Sequence, residues 1–370
     1  MSTFSDLEPS TFSNLTPVTE AILARAKRAL VAEHIDLIDG VAALDRLRRS
    51  AERNDPGSIL LLTGESGSGK TTIMRRFIHQ EQVRILRETG RSAKVDYDGL
   101  VLTDGASGDE RPVVFVNTPS SRSQTALASA ILKAYGAEVP RQLRKHQILD
   151  RLRAQIVGQR TRVLILDEFH HCVDEERDRV VIELSELVKD ILVGTRVHIV
   201  IAGMGHAALP VDRNPQLNRR CMVRFPLGPF GWGEKDEDRN PFLEFLGQLE
   251  ASMALPETSN LADPIRAGRI HRATGGLIGF VTRLLHGALE SGLENGLLHI
   301  DDAYLAFAYD QTKVTGDRTN PFRDAAEAAR QRPTGRRSRP QENVRGPAPA
   351  KAAEAATRKA AAPSRRAKKA

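Results

Sequence analysis

Residues 58 to 71 constrain the fold of this chain more than any others. Ser58-Ile-Leu-Leu-Leu-Thr63 is an unbroken apolar run of strand length, and it leads directly into Gly64-Glu65-Ser66-Gly67-Ser68-Gly69-Lys70-Thr71. A strand buried on both faces reads as such a run. Glycines at 64, 67 and 69 let the following backbone curl into a concave nest of N–H groups, and Lys70-Thr71 opens a helix whose N-terminus faces that nest. Oriented amides and a helix dipole both favour anions there. The order strand, loop, helix separates a phosphate-binding loop from a chance glycine-rich turn. On this spacing the loop from Gly64 through Thr72 cradles a nucleotide's phosphates, Lys70 reaches the β and γ phosphates, and the Thr71 hydroxyl ligates Mg²⁺.

About a hundred residues on, Arg162-Val-Leu-Ile-Leu-Asp167-Glu168 supplies a second buried strand ending in two carboxylates. An aspartate at the carboxyl end of a strand beside the first can hold the water shell of Mg²⁺, and a glutamate after it can polarise an attacking water. Asp167 and Glu168 therefore predict hydrolysis, with ATP as the nucleotide, since no Asn-Lys-x-Asp guanine motif occurs. His170-His171-Cys172 follows at once. Adjacent side chains on a regular helix cannot all face one ion, and no second ligand cluster stands at suitable spacing, so no metal site is expected there. Asn218-Arg219-Arg220-Cys221 precedes the last short strand. An arginine in this position in a ring-forming ATPase reaches the γ-phosphate of the neighbouring subunit, which makes Arg219 and Arg220 catalytic candidates; a surface pair is the plain alternative.

The remaining elements alternate as a parallel sheet requires. Strands are expected at 112–117, 162–167, 196–202 and 222–225, with helices near 122–135, 142–157 and 176–193 between them. Such a pattern predicts an α/β three-layer domain over 57–230. Thr16-Pro17 begins a helix to about residue 33, and Asp39 caps a second, giving a lead-in over 16–56 after a flexible stretch of 1–15. Within 90–111 the alternating stretch Val95 to Leu102 predicts a hairpin. After Gly228-Pro-Phe-Gly-Trp-Gly233 the pattern turns helical, near 237–253, 261–273, 277–292 and 301–313, so a small all-helical lid is expected over 231–315.

Charge divides the chain. Of the formal +7, Arg330 to Ala370 carries thirteen Lys/Arg against two Glu, which leaves residues 1–329 at about −4. A segment so poor in large apolar residues cannot offset its ordering entropy, so 316–370 is expected to be a disordered basic tail. Cationic tails bind polyanions by counterion release, which points to double-stranded DNA. In the folded part, Arg91 and Lys94 in the hairpin, with Thr118, Ser121 and Arg122 after the second strand, are the candidate DNA-backbone contacts. Two cysteines in unlike settings argue against a disulfide, and no stretch approaches the roughly 18 apolar residues of a membrane helix, so a cytoplasmic location is expected.

With these residues placed, the chain resembles the TniB/TnsC family of transposition AAA+ ATPases over about 16–313. The resemblance rests on the lead-in helices, Gly64 to Thr71, Leu166-Asp-Glu-Phe-His-His171, Gln216-Leu-Asn-Arg-Arg220, and above all on the lid stretches Leu255-Pro-Glu-Thr-Ser-Asn-Leu261 and Ile270-His-Arg-Ala-Thr-Gly-Gly-Leu-Ile-Gly279. It implies a homo-oligomer, ring or helical filament, that assembles on target DNA with ATP and recruits a DDE-type transposase, often with a TniQ-like partner. Two departures stand out. Ala202-Gly203-Met204 replaces a polar sensor residue, and the lid offers Arg283 a turn later than a sensor arginine stands, which implies slow hydrolysis. A helicase-loader-like ATPase and a STAND-type signalling switch are the competing classes.

Overall fold

A computed structural model describes residues 17–29, 35–104, 108–137, 144–174, 176–233, 235–296, 298–312 and 319–323. The basic segment from Arg330 and the N-terminal stretch 1–15 lie outside the described residues. Seven strands form one sheet in the order β2-β3-β4-β5-β6-β1-β7. They are β1 (Ile59–Gly64), β2 (Lys94–Asp96), β3 (Gly99–Asp104), β4 (Gly108–Asn117), β5 (Val163–Asp167), β6 (His198–Gly203) and β7 (Cys221–Leu227). From β4 to β7 all neighbours are parallel. The predicted hairpin exists as β2–β3, and β3 pairs antiparallel with β4, so the sheet is mostly rather than wholly parallel. Strand β4 also begins at Gly108, four residues before its apolar run, because Gly108, Asp109 and Glu110 pair with Asp104, Thr103 and Leu102 of β3.

The strands are covered on both faces, and their alternation shows it. Ile59, Leu61, Val114, Val116, Leu164, Leu166, Ile199 and Ile201 point into a core closed by α4 (Gln124–Ala134), α5 (Lys145–Gly158) and α6 (Asp178–Thr195). Their neighbours Leu60, Leu62, Val113, Phe115, Val163, Ile165 and Val200 point into a second core closed by α2 (Ile35–Glu52) and α3 (Lys70–Thr89). Helix α2 starts at Ile35, so Asp39, expected as its cap, lies inside it and Asp36 sits in its first turn. Ser123 caps α4, its hydroxyl accepting from Ala126 N–H at 3.3 Å. Two single-turn helices, α7 (Leu209–Asp212) and α8 (Pro215–Asn218), lead into β7.

A third core belongs to the lid helices α9 (Asp236–Met253), α10 (Pro264–Thr274), α11 (Ile278–Glu294) and α12 (Asp302–Thr312). The first lead-in helix, α1 (Pro17–Ala29), joins this core through Leu23 and Ala26, while α2 joins the sheet. The two lead-in helices thus part company. Residues 319–323, expected to belong to the structureless tail, dock on the lid: Phe322 is fully buried and Asn320 Nδ2 donates to Ala306 O at 2.8 Å. A single aromatic surrounded by apolar helices holds a segment whose composition alone would leave it loose. No helix among the described residues is long and apolar enough to cross a membrane. Cys172 is buried, Cys221 half-buried, and both are free.

Candidate functional site

Strand β1 ends at Gly64, and the loop after it turns on Gly67 and Gly69, whose φ angles of 83° and 99° lie in the left-handed region that a side chain disfavours. Gly64 has no room for a side chain either, since a Cβ there would stand 2.4 Å from Leu227 O of the neighbouring strand. The Lys70 side chain folds back under the loop. Its Nζ donates to Gly64 O and Glu65 O, each at 2.8 Å, with Ser68 Oγ at 3.5 Å. Burial pushes the Lys70 ammonium below its usual pKa, against the opposing pull of Glu168 and Asp167.

Strand β5 delivers Asp167 beside that helix start. Thr71 Oγ1 donates to Asp167 Oδ2 at 2.9 Å, which joins the two predicted motifs directly. Burial raises the Asp167 pKa, and the hydrogen bonds from Thr71 and from the Glu168 N–H pull it the other way. Glu168 leaves the strand in a left-handed conformation, φ 54° and ψ 32°, uncommon for a residue with a side chain. Three bonds hold it so. Its N–H donates to Asp167 Oδ1 at 2.8 Å, and its carbonyl accepts from Thr118 Oγ1 at 2.7 Å and from His171 N–H at 2.9 Å.

The other predicted residues fall elsewhere. Arg219 is exposed at the end of α8, and Arg220 Nη1 donates to Gly57 O at 3.1 Å. Both stand where β7 begins, opposite Ile59, whereas the glycine-rich loop leaves the far end of β1. That separation is about 17 Å along the strand at roughly 3.3 Å per residue, so neither guanidinium reaches the loop of its own chain. The candidate DNA contacts divide. Arg91 pairs with Glu110 at 3.1 Å and Lys94 is exposed on β2, both near the start of β4. Thr118, Ser121 and Arg122 follow its end, about 25 Å of strand away. The two groups stand at opposite ends of β4. Thr118 is buried with its hydroxyl engaged by Glu168, Ser121 is exposed, and Arg122 pairs with Asp174 at 2.8 Å.

Two roles at the site escape the sequence reading. Thr118 is one: its register beside β5 sets it under Glu168, and nothing in a lone threonine after a strand signals this. Gly279 is the other. At the start of α11 its N–H donates to Gly67 O at 2.7 Å, and a Cβ on it would lie 2.9 Å from Gly67 Cα. The run Thr274-Gly-Gly-Leu-Ile-Gly279 announces small residues, and that was the available clue. Arg283 lies over the Phe280 ring, 5.8 Å from its centroid.

Residues 53–208 match the sequence model of the AAA domain family. That stretch resembles an AAA domain. No curated protein matches the sequence. Among solved structures it resembles Cdc6p from Pyrobaculum aerophilum, with 17% identity and a TM-score of 0.51 over 83% of this chain and 71% of that one. It also resembles the ORC2 protein of Aeropyrum pernix in its ADPNP-ADP complexes, with 15% identity and a TM-score of 0.51 over 84% of this chain and 72% of that one. At such identities the likeness speaks for fold, a P-loop AAA+ domain followed by a helical region.

Proposed function

We propose that this AAA+ protein is an ATPase that uses Mg²⁺-ATP to govern its own assembly on duplex DNA and, through that assembly, the recruitment of a DDE-type transposase, with a TniQ-like protein as a further partner. The observation that carries the enzymatic part is the direct bond from Thr71 to Asp167 beside a buried Lys70. A hydroxyl and a carboxylate together make the oxygen donor set a hard cation prefers. The ammonium held by loop carbonyls, and the glycines that leave the loop's inner wall free of side chains, fit a phosphate chain. Residues 64–72 and Lys70 would hold the phosphates; Thr71 and, through water, Asp167 would hold Mg²⁺. Bound Mg²⁺-ATP supplies a strained phosphoanhydride and a Lewis acid that neutralises its charge.

The rest is work for the chain's own groups. Lys70 exchanges its two loop-carbonyl partners for phosphate oxygens, whose negative charge binds the ammonium more strongly than a neutral carbonyl does. Glu168, fixed in an unusual backbone state by Thr118 and Asp167, orients a water and accepts its proton. Arg219, exposed and remote from its own loop, serves the loop of an adjacent subunit; Arg220, tied to Gly57 O, braces the start of β7. The Ala202-Gly203-Met204 segment at the end of β6, which offers no polar sensor side chain, supports a slow turnover. The transposition role is supported by the sequence resemblance of the lid stretches and by the cationic segment from Arg330.

Electron microscopy with duplex DNA and a slowly hydrolysed ATP analogue tests the reading. A ring or helical assembly on DNA is expected, absent with ADP. Arg219→Ala protein should bind ATP without hydrolysing it and regain activity when mixed with Lys70→Ala protein. No assembly on DNA in any nucleotide state, or capture of a replicative helicase in place of a transposase, would remove the transposition reading.

A further inference from the structure

Glu168, His170 and His171 turn three ligand atoms toward one point, and we propose that they form a binding site for a borderline transition-metal ion, Zn²⁺ foremost, separate from the Mg²⁺ position at Thr71 and Asp167. On a regular helix neighbouring side chains fan out by about 100° per residue, which is why sequence alone argues against such a site. The backbone here is not a regular helix. Glu168 is left-handed and Phe169–Cys172 is a 3₁₀ turn. As a result Glu168 Oε2 stands 3.6 Å from His170 Nε2 and 3.5 Å from His171 Nε2, and all three ligand atoms lie within 4.8 Å of one another.

These separations are too long for hydrogen bonds. They suit a bridged set instead: four-coordinate geometry with bonds of about 2.0–2.1 Å places ligand atoms about 3.4 Å apart. Two imidazoles and one carboxylate are a donor set that Zn²⁺ accepts and Mg²⁺, which prefers oxygen and water, does not. Three protein ligands leave a fourth position open. Access exists as well, since both histidines line an open cleft of about 510 Å³ together with Ser120, Arg122 and His206. The His206 ring stands edge-on to His170 with centroids 5.4 Å apart. Ligation at His170 Nε2 places the ring proton on Nδ1, which now sits 3.5 Å from the Met204 N–H. Loading therefore pushes the segment after β6 away from His170.

One consequence rests on the ATPase reading: an ion held by Glu168 occupies the carboxylate that would accept the proton from water, so it stops turnover while ATP still binds at Lys70. The site itself does not depend on that reading. The test titrates the tag-free full chain, in excess Mg²⁺, with Co²⁺ followed by visible absorption and with Zn²⁺ followed by calorimetry. One ion per chain is expected, with the absorption of four-coordinate Co²⁺. His171→Ala and His170→Ala should each weaken it roughly tenfold or more, and Lys70→Ala should leave it unchanged. His171 is exposed, so its loss removes no core packing. Zn²⁺ should inhibit hydrolysis reversibly in the wild type and not in His171→Ala. Absence of saturable Co²⁺ and Zn²⁺ binding, or equal affinity in the wild type and His171→Ala, overturns the site. Ion binding in a protein that never hydrolyses ATP would instead leave the site standing and overturn the ATPase reading.

Discussion

The sheet domain and the lid are both fully packed, yet they hold their parts in place differently. In the sheet domain the site is built where strands end: Gly64 closes β1, Lys70 and Thr71 open the helix α3 that follows its loop, Thr118 follows β4, and Asp167 and Glu168 stand at the end of β5. Register fixes these groups to one another, and two cores on opposite faces leave the strands little freedom. The lid is a single helical core rich in aromatic rings, with Phe230 stacked on Phe245 at 4.9 Å and Trp232 on His271 at 5.6 Å. It meets the phosphate-binding loop through backbone, Gly279 N–H to Gly67 O. The same turn accepts the Phe230 N–H at Gly276 O, so the connector from the sheet and the contact to the loop share one short segment. The sheet thus decides what the site is made of, and the lid decides how it is closed.

The sharpest way to break that division is to change the site without touching the lid. Lys70→Ala should lower ATP affinity by about a hundredfold or more, whereas Glu168→Gln should retain affinity and lose about 10² to 10⁴ in turnover. Nucleotide titration and phosphate release read the two separately; equal ATP affinity in all three proteins would show that the strand ends do not form the site. Next in size are the cores. Leu164→Ala and Leu285→Ala each delete a buried leucine and should cost about 2–5 kcal/mol. Amide exchange should rise throughout after the first, but chiefly in α1 and α9 to α12 after the second. Uniform loss of protection in both would mean that lid and sheet unfold as one unit.

A smaller effect tests the joint itself. Gly279→Val forces side-chain atoms against Gly67, where even a Cβ would be 2.9 Å from its Cα and O, and overpacking of this kind costs about 1–3 kcal/mol. ATP affinity should fall about tenfold with the melting temperature of the sheet domain preserved, and unchanged affinity would separate lid from site altogether. The smallest effect is a pH dependence. Burial raises the Asp167 pKa in the folded protein, so this group's contribution to stability is present in full below the unfolded value and is lost as pH rises through the folded one. In nucleotide-free protein Asp167→Asn should therefore be more stable than wild type at neutral pH, with the gap closing toward acid. Denaturant midpoints across the acidic range check the sign, and a gap that widens toward acid would contradict it.

Much of the sheet was legible because a strand buried on both faces leaves an unbroken apolar run, as at 59–62 and 163–166. The phosphate-binding loop was legible for a different reason, since its glycines and Lys70 are required by position. What stayed hidden depends on partners rather than on local pattern. The helical spacing of Ile22, Leu23 and Ala26 announces a buried face in α1 and says nothing of which core receives it. Glu168 carries no glycine to betray a left-handed turn, so the meeting of its carboxylate with two histidines could not be foreseen. Polar Asp109 and Glu110 masked the first half of β4, and a lone Phe322 gave no hint that it packs into the lid core. Tertiary context decided each of these.

The membership of α1 in the lid gives the molecule a timetable during synthesis. Helix α1 is complete at Ala29, but α9, against which it packs, begins at Asp236. At roughly 5–20 residues per second a ribosome takes about 10 to 40 seconds to deliver the chain between them. During that interval the strands of the sheet domain are delivered one after another, while Leu23 and Ala26 remain an unmatched apolar face. The lid is therefore assembled from segments made before and after the sheet domain, and the waiting α1 face is where a nascent-chain chaperone has the longest opportunity to bind.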